Sequence, residues 1–165
     1  MFRRVEDFAA AWGTEYEGTL KVLRAMTDSS LSQRVDPEGR TLGRLAWHVT
    51  QSVPEMMNRT GLALEGPDEH APVPASAAEI VAVYEAAGKA LLEQVRGWDD
   101  ATLLETRDMY GEPWPNGLTL EILIRHQTHH RGQMTVLMRQ AGLKVPGVYG
   151  PAREEWGAYG MPAQA

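Results

Sequence analysis

Apolar residues return every third or fourth position in four stretches of this chain, and that spacing predicts four amphipathic helices. The first runs from about Arg4 to Met26, with Val5, Phe8, Trp12, Tyr16, Leu20 and Leu23 on one stripe, and Asp28-Ser29-Ser30 ends it. The second opens near Thr41 and carries Leu42, Leu45, Ala46, Val49 and Met57. Pro54 lies within it, removes a backbone donor and is expected to bend or split the helix. The third begins at Ser76-Ala77-Ala78-Glu79, a capping-box pattern, and continues through Ile80, Tyr84, Ala87, Leu91, Val95 and Trp98. The fourth starts near Thr119, holds Leu120, Leu123, Met134 and Leu137, and stops at Gly142, with Pro146 beyond.

Little else is periodic. Tyr110 to Trp114 is too short and too proline-flanked to read as strand, so an all-α bundle in one domain, residues 1–165, is the economical prediction. The connection from Gly61 to Ala75 reaches about 45 Å if extended, longer than a twenty-residue helix at about 30 Å. It is able to cross the whole bundle, so sequential helices need not be antiparallel. The tail from Val148 to Ala165 is expected to pack across the bundle with a short helical turn, then fray.

A chain of 165 residues can bury a core without staples, and it has no cysteine, which removes disulfides, thiolate ligands and a cysteine nucleophile. Any thiol chemistry would need a thiol from outside. The net charge of −6 argues against a nucleic-acid binder. No apolar run reaches the length of a membrane span, and the basic start Met1-Phe2-Arg3-Arg4 is followed by acids rather than a signal-peptide core. A soluble cytoplasmic protein is the expectation.

Three of the five histidines fall in Arg125-His126-Gln127-Thr128-His129-His130-Arg131-Gly132-Gln133, inside the fourth helix. His126 and His130, four apart, stack on the face shared with Leu123, Met134 and Leu137, where their rings can grip one metal ion. The alternative is a pair of core histidines bonded to carbonyls. A zinc-protease helix would place glutamate after the first histidine; Gln127 stands there, and that reading is rejected. Catalytic zinc usually takes three protein ligands, and His48, between the apolar Leu45 and Val49, can face the pair from the second helix. His129, three after His126, competes with His130. Gln133 shares their face and can support a ligand by a hydrogen bond or contact a substrate, or else belong to an ordinary buried polar network. Glu55, two turns after His48, can approach, although Pro54 leaves its direction open. His70 lies in an acidic, proline-rich connection and reads as solvated; Met56-Met57 is a candidate subunit contact.

His126, His129-His130-Arg131-Gly132-Gln133, Leu137 to Leu143, Pro146 and Tyr149-Gly150-Pro151 form a pattern that resembles the DinB/YfiT-like family. Leu42-Gly43-Arg44-Leu45-Ala46-Trp47-His48 resembles the family's first histidine segment, so the likeness spans nearly the whole chain. It implies a left-handed four-helix bundle running up-down-down-up with a short C-terminal extension, the crossover supplied by Gly61–Ala75. It implies a divalent metal on His48, His126 and His130; by their ligand chemistry three histidines suit zinc or nickel first, iron or manganese next. Homodimers are common in the family, and relatives with known activity use low-molecular-weight thiols for conjugation or isomerisation. The resemblance therefore points to a metal-dependent enzyme acting on a small molecule, a thiol-dependent S-transferase or a related hydrolase. A non-catalytic metal-binding stress-response protein is the alternative. No general base is assigned.

Overall fold

The computed structural model describes residues 1–163; the end of the tail, Gln164 and Ala165, where fraying is expected, lies outside the described residues. Four helices, α1 (Val5–Arg24), α2 (Leu42–Asn58), α3 (Ala77–Val95) and α4 (Asn116–Gln140), enclose one apolar core. Each buries the stripe its periodicity predicts. In α1, Glu6 and Asp7 sit in the first turn and Lys21 and Arg24 in the last, which complements the helix dipole. Phe8, Trp12 and Tyr16 form an aromatic ladder that continues across to Tyr84 of α3, with 5.8 Å between the tyrosine ring centres. Gly88 permits this contact: a β-carbon there would collide with the Tyr16 ring, and the Gly88 carbonyl accepts the Trp12 indole N–H at 3.1 Å.

Contacts between the elements set the relative directions. Val5 meets Asp100, Trp12 meets Gly88 and Tyr16 meets Tyr84, so α1 and α3 run antiparallel. His48 meets His130, Val49 and Ser52 meet Gln127, and α2 and α4 are antiparallel too. Phe2 pairs with Gly117 and Glu15 with Arg131, which makes α1 and α4 parallel. It follows that α2 and α3 are also parallel, and the chain between them must travel back along the bundle. It does so against α2: Leu64 bonds Asn58, Gly66 packs on Pro54, the Asp68 carbonyl accepts from Gln51, and the Ala71 carbonyl accepts from Trp47.

Several local expectations change. Helix α2 is one element from Leu42 to Asn58 with Pro54 inside it, so the proline, although it removes one backbone donor, does not split the helix. Ser76 makes no side-chain cap; the Ala77 N–H is taken instead by the Asp28 carboxylate at 2.7 Å. Met56 and Met57 are core residues, 4% and 0% exposed, so they are not a subunit contact. The segment dismissed as strand does pair: β1 (Thr106–Met109) and β2 (Glu112–Pro115) form an antiparallel hairpin. Its turn, Tyr110-Gly111, has φ of 59° and 88°, both left-handed, as a tight two-residue hairpin requires. Prolines are tolerated because each strand of a two-stranded ribbon has a free edge. The tail packs through Val145 and Val148 and contains the expected short turn, Trp156–Tyr159.

Candidate metal centre

His48 projects from the middle of α2, and His126 and His130 from adjacent turns of α4. The three rings meet edge to face, with centres 4.7 Å (48–126), 4.7 Å (48–130) and 4.5 Å (126–130) apart. One nitrogen from each lies within 4.8 Å of the others, and the Nε2 atoms of His48 and His126 are 2.9 Å apart. His129 is exposed and stands outside the set, its ring centre 4.9 Å from that of His130. Gln133 separates their roles: its Oε1 lies 2.8 Å from His130 Nδ1, and its Nε2 lies 3.1 Å from His129 Nε2. With Nδ1–H donated to Gln133, His130 presents its Nε2 lone pair to the other two rings.

Burial holds the rings neutral. It pulls His48 from 6.5 to about 4, with His130 and then Arg40 and Arg44 adding in the same direction. It pulls His126 to about 4, with His130 and His48 adding, and it lowers His130 against the opposing Gln133 bond. Neutral imidazoles are the form that ligates. Two Nε2 atoms at 2.9 Å repel unless one carries a proton or both point at a cation. Metal–nitrogen bonds of about 2.1 Å meeting at a right angle separate their nitrogens by about 3.0 Å. The donor set therefore fits a divalent ion.

Gln127, the residue that excluded a protease helix, is fully buried and joins the helices: its Nε2 donates to the Val49 carbonyl at 2.9 Å and to Ser52 Oγ at 3.1 Å. Two clefts flank the triad. One, about 360 Å³, has His48 and His126 in its wall together with Arg44, Glu55, Glu69 and Tyr110. The other, about 550 Å³, has His129, His130 and Gln133 in its wall with Arg40 and the apolar Val136 and Leu137. Glu55 does reach the site: it lines the first cleft, accepts from Tyr110 Oη at 2.8 Å and pairs with Arg59 Nε at 3.0 Å. Tyr110 and Arg44 were not foreseen as site residues; the left-handed Tyr110-Gly111 turn was the available signal for the first. His70 is exposed, as expected. Among the described residues no helix is long and apolar enough to cross a membrane.

The family model described as DinB family matches residues 1–162. The chain is 45% identical to YrdA of Bacillus subtilis (strain 168), described as an uncharacterized protein, over 164 residues, 99% of this chain and 98% of that one. It is similar to a DinB-like protein from Bacillus cereus ATCC 10987, with a TM-score of 0.87 at 47% identity, covering 90% of this chain and 100% of the other. YfiT from Bacillus subtilis, described as a probable metal-dependent hydrolase with an unusual four-helix bundle topology, aligns with a TM-score of 0.65. At 16% identity over 85% of this chain and 89% of YfiT, that likeness shows the shared fold.

Proposed function

This chain belongs to the DinB family, and from that premise we propose that it is a metal-dependent enzyme in which His48, His126 and His130 hold one divalent cation beside a small-molecule cleft. The observation that carries the reading is the convergence of three neutral imidazoles from two helices, with open space on either side. A divalent ion there would polarise a bound group, or lower the pKa of water or a thiol toward neutrality. The protein's part is to fix the ligands and admit the substrate. Gln133 sets the His130 tautomer, Gln127 ties α4 to α2 behind the rings, and Tyr110 walls one side.

Hydrolysis and thiol-dependent S-transfer both suit such a site. The thiol of a transfer reaction would be a cosubstrate, since the chain has no cysteine. Zinc or nickel are the first candidates, iron or manganese the next. A homodimer belongs to the same proposal, tested by the solution mass. The second reading is a stress-response protein without turnover, and one observation favours it: the triad bridges α2 and α4, so a bound ion would staple two helices.

Metal analysis of the purified protein and of His130→Ala separates these. The expected result is about one divalent ion per chain, lost in the variant; a variant that has lost its metal yet keeps the melting temperature of the metal-loaded wild type speaks against the staple. If adding zinc raises stability but no candidate thiol perturbs a cobalt-substituted centre, the transferase version is wrong. Absence of stoichiometric metal from the wild type would remove the reading altogether.

A further inference from the structure

We propose that Arg44 is the substrate-anchoring residue of the His48–His126 cleft and that the substrate carries a carboxylate. This rests on the reading above only in taking that cleft as the substrate site.

Among the lysines and arginines of the described chain two are shielded from solvent, Arg44 and Arg131. Arg131 is 3% exposed and pairs with Glu15 at 2.6 Å. Arg44 is half-buried and has no carboxylate partner among the described residues. Every other lysine or arginine outside an ion pair is exposed. Shielded charges are ordinarily matched by a counter-charge, so Arg44 stands ready for an anion from outside. Its position adds cost: it occupies the first turn of α2, where the helix dipole disfavours a cation and no acid offsets it.

The guanidinium is also aimed. Its one side-chain bond, Nη1 to Gln51 Oε1 at 3.3 Å, leaves most of its N–H donors free. Gln51 is itself fixed, because its Nε2 donates to the Asp68 carbonyl at 2.6 Å. Arg44 and His48 are one helical turn apart, about 6 Å along the axis, and both line the cleft. An anionic group on Arg44 would therefore lie a few bonds from an atom reacting at the histidines. Glu55 and Glu69 line the same cleft. They repel a phosphate dianion more than a monoanion, which selects a carboxylate.

The test follows the Arg44 side-chain Nε–H resonance by NMR in the full chain, zinc-loaded and metal-free, during titration with propionate and then inorganic phosphate at constant ionic strength. The expected result is a saturable shift with propionate and a weaker response to phosphate. In Arg44→Gln, propionate binding falls about tenfold or more, the loss of a charge-assisted contact, while zinc affinity is unchanged. Arg44→Lys, which keeps charge but not the planar fork, falls between. The proposal is overturned if Arg44 shows no saturable shift, if phosphate is preferred, or if Arg44→Gln binds propionate as the wild type does. The wild-type resonance decides the matter even if the variant does not fold. Zinc binding without a propionate response refutes the anchor and leaves the metal centre standing; the reverse result does the opposite.

Discussion

Helix α4 carries polar residues into two neighbours and treats them in opposite ways. Toward α1 it presents Arg131, whose Nη1 donates to Thr19 Oγ1 at 2.9 Å and to the Glu15 carbonyl at 3.1 Å, and whose Nη2 meets the Glu15 carboxylate. Tyr149 from the tail donates to the same carboxylate at 2.7 Å, and its ring lies 5.1 Å beneath the guanidinium. A β-carbon on Gly18 would sit 2.7 Å from Val148, so that glycine lets the tail close over the network. Toward α2, one residue earlier in the chain, His130 meets two further imidazoles with no carboxylate in the set. The first region is complete: one cation, one anion and matched donors. The second is three neutral lone-pair donors brought to one point, a set whose chemistry suits a cation. A satisfied buried network is what structure needs, and an unsatisfied one is what ligand binding needs.

Breaking the complete side should cost the most stability. Arg131→Met leaves the Glu15 carboxylate, 13% exposed, without its cation. Removing one partner of such a pair costs about 3–5 kcal/mol, or roughly 6–20 °C in melting temperature for a chain of this size. Urea unfolding of the metal-free protein checks the value. The double variant Glu15→Gln/Arg131→Met should recover most of it. Zinc affinity should survive in whatever fraction folds, because the network does not touch the triad. A loss under 1 kcal/mol, or metal affinity falling as far as in His130→Ala, would erase the contrast between the two sides.

That contrast was half legible in the sequence. The open side was visible because helical spacing is local: His126 and His130 four apart fix a shared face, and Leu45 and Val49 mark the buried side next to His48. The fold class followed from the same periodicity. Arg131 lies within the histidine motif, but its partner Glu15 is 116 positions away and no local pattern pairs them. Between His129 and His130 the i,i+4 spacing already favoured His130, and the coordinates gather His130, not His129, with His48 and His126. The hairpin was missed because prolines lower strand propensity, while the Tyr110-Gly111 turn and contacts to Glu55 and Arg59 hold it in place. The Ser76 cap is not made, and Asp28, from a distant turn, holds the helix start through the Ala77 N–H, a contact no local pattern shows.

Acid should unravel the open side next. His48 and His126 titrate near 4 when folded and near 6.5 when unfolded. Between those values the unfolded chain binds more protons, so stability is full above about pH 6.5 and falls as pH drops toward 4. Thermal melts of chelator-treated protein at pH 7.5, 5.5 and 4.5 should show the melting temperature decreasing through this window. In His48→Gln/His126→Gln the decrease should flatten, leaving the carboxylate contribution at lower pH. With zinc bound the slope should steepen, since the ligands must be deprotonated to hold it. A double variant as acid-sensitive as the wild type would mean that the triad does not govern this window.

The finest distinction lies in Gln133, which is exposed, so its removal should barely affect folding. Gln133→Leu is expected to change stability by no more than about 0.5 kcal/mol, the range of ordinary surface substitutions. It nonetheless deletes the acceptor 2.8 Å from His130 Nδ1 and frees the ring to turn or change tautomer. Loss of such an outer partner commonly weakens metal binding about 10–100-fold, measurable by competition with a chromogenic chelator. Gln133→Glu keeps an acceptor at that nitrogen and adds charge, so it should bind zinc at least as well as the wild type. If both variants bind equally, His130 is oriented by packing alone and Gln133 only decorates the cleft. If Gln133→Leu instead unfolds the protein, the open side supports the fold as much as the complete one, and the division of α4 into a structural face and a ligand face is wrong.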